Sequence, residues 1–180
     1  SDLEESGKYE VYDANKVVGY INDGAIDVSY ISIIKDGAGV GRTRLMQKNT
    51  CITGTMNYLI VNDNYSLKFI YYILNVFDFN IFATGSTIPH IYFKDYGEKF
   101  ITYPNIEEQK RIADYLDKKC TEIEGVRESI EAEIATLEEY KKSMITEAVT
   151  KGLDKNVEMK DSGIDYINDY PAHWKIKRIK

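Results

Sequence analysis

At 180 residues the chain has the length of one domain, or of one small domain with an appendage. Apolar residues at 43% and charged residues at 29% exclude wholesale disorder, and no apolar run nears the roughly 18 residues that a membrane span needs. The net charge of −6 argues against a nucleic-acid binder when taken whole, but residues 105–150 carry most of it, with 12 Asp+Glu against 7 Lys+Arg. Cys51 and Cys120 lie far apart, which excludes a disulfide framework and a cysteine-built zinc site. With only His90 and His173 besides, no metal or cofactor is expected. The cysteine usage and the lack of a secretory leader fit a cytoplasmic protein.

Residues 1–105 read as mixed strand and short helix. Ile31–Ile34 is a β-branched run, followed by the turn-rich Lys35–Gly41. That turn lacks the Gly-Lys-Ser/Thr ending of a phosphate loop, so a tight connection between strands is expected. Cys51–Thr53 and Tyr58–Val61 read as further strands, and Ser66 as the N-cap of a helix with apolar residues at Phe69, Ile70, Ile73 and Leu74. Phe100–Tyr103 reads as a last strand, stopped by Pro104. Most of the 15 tyrosines fall in this segment, supplying apolar area with a polar end.

Residues 106–152 change character. Leu116, Ile123, Ile130, Leu137 and Met144 recur every seventh position, with a second stripe at Val126, Ile134, Tyr140 and Ala148 and with Glu and Lys between. This is the period of a helix that packs lengthwise on another helix. Some 44 residues reach roughly 65 Å, too long to bury the stripe against a domain of about 100 residues, so a partner helix is expected. Gly125 marks a local soft point, and Gly152 a C-cap. Residues 153–180 read as a polar linker over 154–161 and then the opening of a next domain, whose last residues from Lys175 alternate like a strand.

Several of these stretches are family signatures. Pro104–Asp117 (PNIEEQKRIADYLD) resembles the junction where a target-recognition domain passes into a spacer helix in the DNA-specificity (S) subunit of type I restriction–modification enzymes. Leu137–Leu153 is similar to the end of such a spacer, Met159–Trp174 to the segment that opens a recognition domain, and Gly85–Ile91 to a loop late in these domains. The resemblance implies an α+β fold: a small mixed recognition domain with a twisted β-sheet (1–105, its N-terminal part missing), a long spacer helix (106–152) in an antiparallel coiled coil, and the opening of a second domain (153–180). It also implies a non-catalytic subunit. Such a subunit reads one half-site of double-stranded DNA and directs separate modification (methyltransferase) and restriction subunits. It forms a homodimer, or pairs with a second specificity half, through the helix.

The residues suited to DNA contact are Lys35, Arg42, Arg44 and Lys48 around the glycine turn, and Ser86, Thr87, His90 and Lys94 around the later loop. Arginine can take guanine bidentately, lysine suits phosphate, and hydroxyls suit either. Ser86 and His90 share a loop, but no acid stands at a triad's spacing. The helix-pairing residues are Leu116, Ile123, Val126, Ile130, Ile134, Leu137, Tyr140 and Met144. A coiled-coil interaction scaffold that does not bind DNA is the runner-up. A recognition region cut from a fused methyltransferase–nuclease ranks third.

Overall fold

The computed structural model describes residues 3–178 and divides into two compact units, one ending at Lys118 and the next beginning at Lys119. In the first unit, strand β3 (Tyr30–Ile34) is buried at every position. A strand with both faces covered needs side chains that are apolar throughout or satisfied, and only Tyr30 and Ser32 carry a polar group here. The Ser32 hydroxyl donates to the Arg44 carbonyl at 3.4 Å. β3 lies between β4 (Thr43–Met46) and β6 (Met56–Leu59), antiparallel to both. A second sheet has the order β2 (Val17–Ile21), β1 (Tyr9–Tyr12), β5 (Thr50–Ile52), with β1 antiparallel to β2 and parallel to β5.

One hydroxyl pair links the two sheets. The Thr50 hydroxyl donates to the Gln47 carbonyl at 2.7 Å, so its lone pairs face the Tyr30 hydroxyl 3.0 Å away, and Tyr30 is the donor. Helix α1 (Leu67–Val76) packs on β3 and β4 behind its Ser66 cap. A 3-10 turn (Phe79–Phe82) and the short helix α2 (Phe93–Tyr96) close the core over Ile31 and Ile33, with the Phe79 and Tyr96 rings edge to face at 5.1 Å.

Helix α3 (Ile106–Lys151) starts in this unit. Asn105 caps it by accepting the Glu108 amide at 3.0 Å, and Gln109, 1% exposed, holds it to the unit. The Gln109 amide oxygen accepts from the Ser66 backbone at 2.9 Å while its nitrogen donates to the Pro104 carbonyl at 2.8 Å. Two turns on, Asp117 receives the Lys68 ammonium and the Tyr72 hydroxyl from α1. Those donors hold its carboxyl below the usual carboxylate range, and Lys68 is raised in turn.

In the second unit α3 continues unbroken through Gly125, so the expected soft point does not interrupt it. It ends at Gly152, whose φ of +79° and bond to the Ala148 carbonyl (3.1 Å) make the αL cap. Ile123, Val126, Ile130, Ile134, Leu137, Tyr140 and Met144 stand between 51% and 66% exposed, while Leu116 is half-buried in the first unit. Past Gly152, β7 (Met159–Asp161) pairs antiparallel with β8 (Asp169–Pro171), and the Trp174 ring lies against Gly152. No helix among the described residues is long and apolar enough to cross a membrane.

Three expected elements are corrected. Phe100–Tyr103 is not a strand: it has no ladder partner, and Phe100 is fully exposed. The segment is held instead by Tyr103 against Tyr65 (4.9 Å) and by the Pro104 carbonyl on Gln109. Residues 154–161 are not linker throughout, since 159–161 form β7. Residues 175–178 form no strand, and Ile179 and Lys180 lie outside the described residues.

Replacing Gln109 with Leu strands one buried donor and one acceptor, so stability to urea should fall by about 2–4 kcal/mol. The Lys68–Asp117 pair is half-exposed and should be worth under about 1 kcal/mol at neutral pH, seen as the gap between wild type and D117N. The unfolded chain binds the Asp117 proton more readily than the folded one. The gap should therefore close as pH falls through the lowered carboxyl pKa, and close again as pH rises through the raised Lys68 pKa. Chemical denaturation across pH reads both limits.

Candidate nucleic-acid interface

β3 leaves the core at Ile34 and returns as β4 through residues 35–42. The Gly41 amide bonds the Ile34 carbonyl at 2.9 Å and the Ile34 amide bonds the Arg42 carbonyl at 3.0 Å, which closes the hairpin. Gly41 is required twice over: its φ is +83°, and a Cβ there would lie 2.5 Å from that of Phe79. This is the strand-to-strand connection that the residues implied. The exposed Arg42 guanidinium lies over Gly39, where a Cβ would displace it.

The second loop is closed at its neck. Thr84 and His90 exchange two backbone hydrogen bonds (2.9 and 2.8 Å), leaving Ser86, Thr87 and Ile88 exposed at the tip. Gly85 makes the bend at φ +92°, and a Cβ there would come within 2.5 Å of the Ile88 carbonyl oxygen.

The two loops are clasped. The Gly37 amide donates to the Pro89 carbonyl and the Ile91 amide to the Lys35 carbonyl, each at 2.9 Å. His90 Nδ1 stands 2.7 Å from Asp36 Oδ1. On the far side, the Lys35 amide reaches the Thr55 carbonyl at 3.1 Å. Lys35, Arg42, Ser86, Thr87 and His90, up to 55 positions apart in sequence, thus sit on one double loop. Exposed Lys94 follows in the first turn of α2, its ammonium 5.5 Å over the Tyr92 ring. Lys35, Arg42, Lys48 and Lys94 are in no ion pair among the described residues.

Arg44 and Lys48 are placed differently. Arg44 sends its guanidinium to the carbonyls of Asn15 (3.0 Å) and Ala14 (3.5 Å), in the turn between β1 and β2. That turn is itself closed by Asp13, whose carboxylate accepts the amides of Lys16 and Asn15 and is held below its usual range by them. Lys48 is exposed in the turn beyond the other end of β4. Asp36, the acid beside His90, was not singled out by sequence reasoning; a separation of 54 residues leaves no local signal. No hydrogen bond joins Ser86 to His90. Among the described residues no group of three or more His, Cys, Asp or Glu could hold a metal ion.

Comparison with known proteins points one way. The model of the type I restriction modification DNA specificity domain matches residues 1–136. The crystal structure of the type I restriction-modification system S subunit from M. genitalium is 28% identical, with a TM-score of 0.55 over 77% of this chain and 38% of that one. A chain from work on complex assembly and conformational transition of the type I R-M system is 19% identical, with a TM-score of 0.69 over 83% and 40%, and shows a shared fold. The chain therefore spans about two fifths of the length of these structures. A search of curated proteins gives no match.

The two arginines should separate in solution. Arg44→Ala should cost about 1–2 kcal/mol of stability by freeing the β1–β2 turn, whereas Arg42→Ala should stay within about 0.5 kcal/mol of wild type, both read from urea midpoints.

Proposed function

Because the chain belongs to the type I restriction modification DNA specificity domain family, we propose that it reads one half-site of double-stranded DNA through the double loop of residues 35–42 and 84–91. The observation that carries this is the clasp, which gathers the half-buried Lys35, the exposed Arg42 and two exposed hydroxyls from two distant stretches onto one backbone-fixed surface. In this reading Arg42 takes a base edge, Lys35, Lys48 and Lys94 take phosphates, and Ser86 and Thr87 take either. Arg44 acts from behind, its guanidinium already occupied by two carbonyls. The chain itself is non-catalytic. A modification subunit and a restriction subunit supply the chemistry, in the cytoplasm.

The exposed stripe of α3 is the second part of the proposal. Seven apolar side chains more than half exposed in one seam are worth about 1 kcal/mol apiece when covered, enough in total to offset the entropy of association. An antiparallel second helix, from another copy or another specificity half, fits that seam. The pairing would then fix the distance between two half-sites. A scaffold reading uses the same stripe but leaves the double loop without a role.

Selection from random duplexes by the chain assembled with its modification subunit should return a defined sequence; a featureless pool overturns the reading. K35A and K94A together should lower the dependence of affinity on salt by about two phosphate contacts' worth. For the helix, I130D with L137D should abolish self-association in sedimentation, because each aspartate buries an unpaired charge in the seam. An unchanged mass would remove the pairing.

A further inference from the structure

His90 carries the features of a DNA contact by residue type: an imidazole in a loop beside hydroxyls and lysines. Its surroundings assign it otherwise. The ring is held on two sides. Nδ1 faces Asp36 Oδ1 at 2.7 Å, and Cδ2 lies over Gly85, close enough that a Cβ there would stand 3.2 Å from it. The backbone of the same residue makes both bonds that close the tip loop on Thr84, and its two neighbours, Pro89 and Ile91, make the bonds to Gly37 and Lys35. One residue therefore joins three things: the neck of the 84–90 loop, the seam to the 35–42 turn, and a charged side-chain bond across that seam. Its other ring nitrogen, Nε2, makes no hydrogen bond among the described residues.

We propose that His90 is a positioning residue for DNA reading, acting through Nδ1 on Asp36 to hold Ser86 and Thr87 in fixed register with Lys35 and Arg42. The inference rests on the DNA-reading function proposed for the double loop. The physical argument is one of redundancy. Of the two backbone bonds across the seam, the one at Gly37 lies near the surface and competes with water, while the one at Ile91 is buried with its residue. The side-chain pair, with His90 39% and Asp36 30% exposed, is partly shielded and carries charge on its acceptor, which makes it stronger than the backbone bond at Gly37. Without it the tip loop stays closed at its neck and anchored at Ile91, but beyond that anchor only the Gly37 bond holds it against the turn, and two groups that must meet one stretch of DNA lose their common frame.

Amide side chains separate this role from direct contact, because each reproduces one imidazole nitrogen. An Asn at 90 places its amide nitrogen where Nδ1 stands and can donate to Asp36. A Gln places its nitrogen near Nε2 and cannot serve the clasp in the same rotamer. The assembled chain with its modification subunit is titrated with the duplex returned by selection, using wild type, H90N, H90Q and D36A. Amide hydrogen exchange at Gly37 and Ile91 is followed in the same proteins without DNA. Positioning through Nδ1 predicts that H90N binds within about twofold of wild type, while H90Q and D36A each lose about tenfold and exchange faster at Gly37, with the buried Ile91 amide as the unchanged reference. The reverse order, with H90Q retained and H90N weakened, makes His90 a base or phosphate contact through Nε2 and overturns the proposal. So does unchanged exchange at Gly37 in H90Q and D36A. If wild type selects no duplex at all, the DNA-reading function fails and this role with it, and the exchange data then show separately whether the Asp36–His90 bond holds the two loops together.

Discussion

A strand whose every side chain is buried can sit in only one register, and β3 imposes that constraint on its whole unit. Sliding it by one residue would put Ser32 where Ile31 or Ile33 packs and would take the Tyr30 hydroxyl away from Thr50. Fixing β3 fixes the point at which the chain leaves the core at Ile34. The 35–42 turn is then placed by the hairpin bonds to Ile34 at its base and by the clasp to the 84–91 loop at its tip. Ile91, 1% exposed and in the same core cluster as Ile31 and Ile33, does the same for the 84–91 loop. The double loop is thus two surface excursions from a single packed centre, and its geometry inherits the rigidity of that centre.

The start of α3 shows a second way of fixing a helix to a small domain. Beside the buried Ala113 and the half-buried Leu116, the attachment is made with amide and charge. Gln109 takes over one orphan amide at the start of α1 and the carbonyl just before α3, so one buried side chain satisfies two helix approaches. Asp117 adds a second tie to the same helix from its solvent side. Polar ties have directional geometry, which suits a joint that must set an angle as well as hold.

Sequence reasoning located what is local. The buried run at β3, the Ser66 cap, the glycine hairpin and the heptad stripe each carry a signal within a few residues, and each is where the residues placed it. Strands β1, β2 and β4 went unrecognised because their side chains are half-buried and mixed, with Gly19 and Arg44 in mid-strand and tyrosines that suit either face. Phe100–Tyr103 failed in the opposite sense: its composition is that of a strand, but no ladder receives it. The candidate site was legible as two separate stretches. That they form one surface depends on Asp36 and on backbone atoms, which have no signature in residue type, and the diversion of Arg44 to the Asn15 carbonyl depends on a turn 29 residues away.

The tip of the 84–90 loop is suspended by main-chain atoms at Thr84, Pro89 and His90 and by the His90 ring on Asp36, while the side chains of Ser86, Thr87 and Ile88 take no part in holding it. Stability and chemistry are therefore carried by different atoms. Substitutions at those three positions can change what the loop presents to a ligand with little consequence for folding. That gives the surface a mutational latitude which a tip anchored by its own side chains would lack.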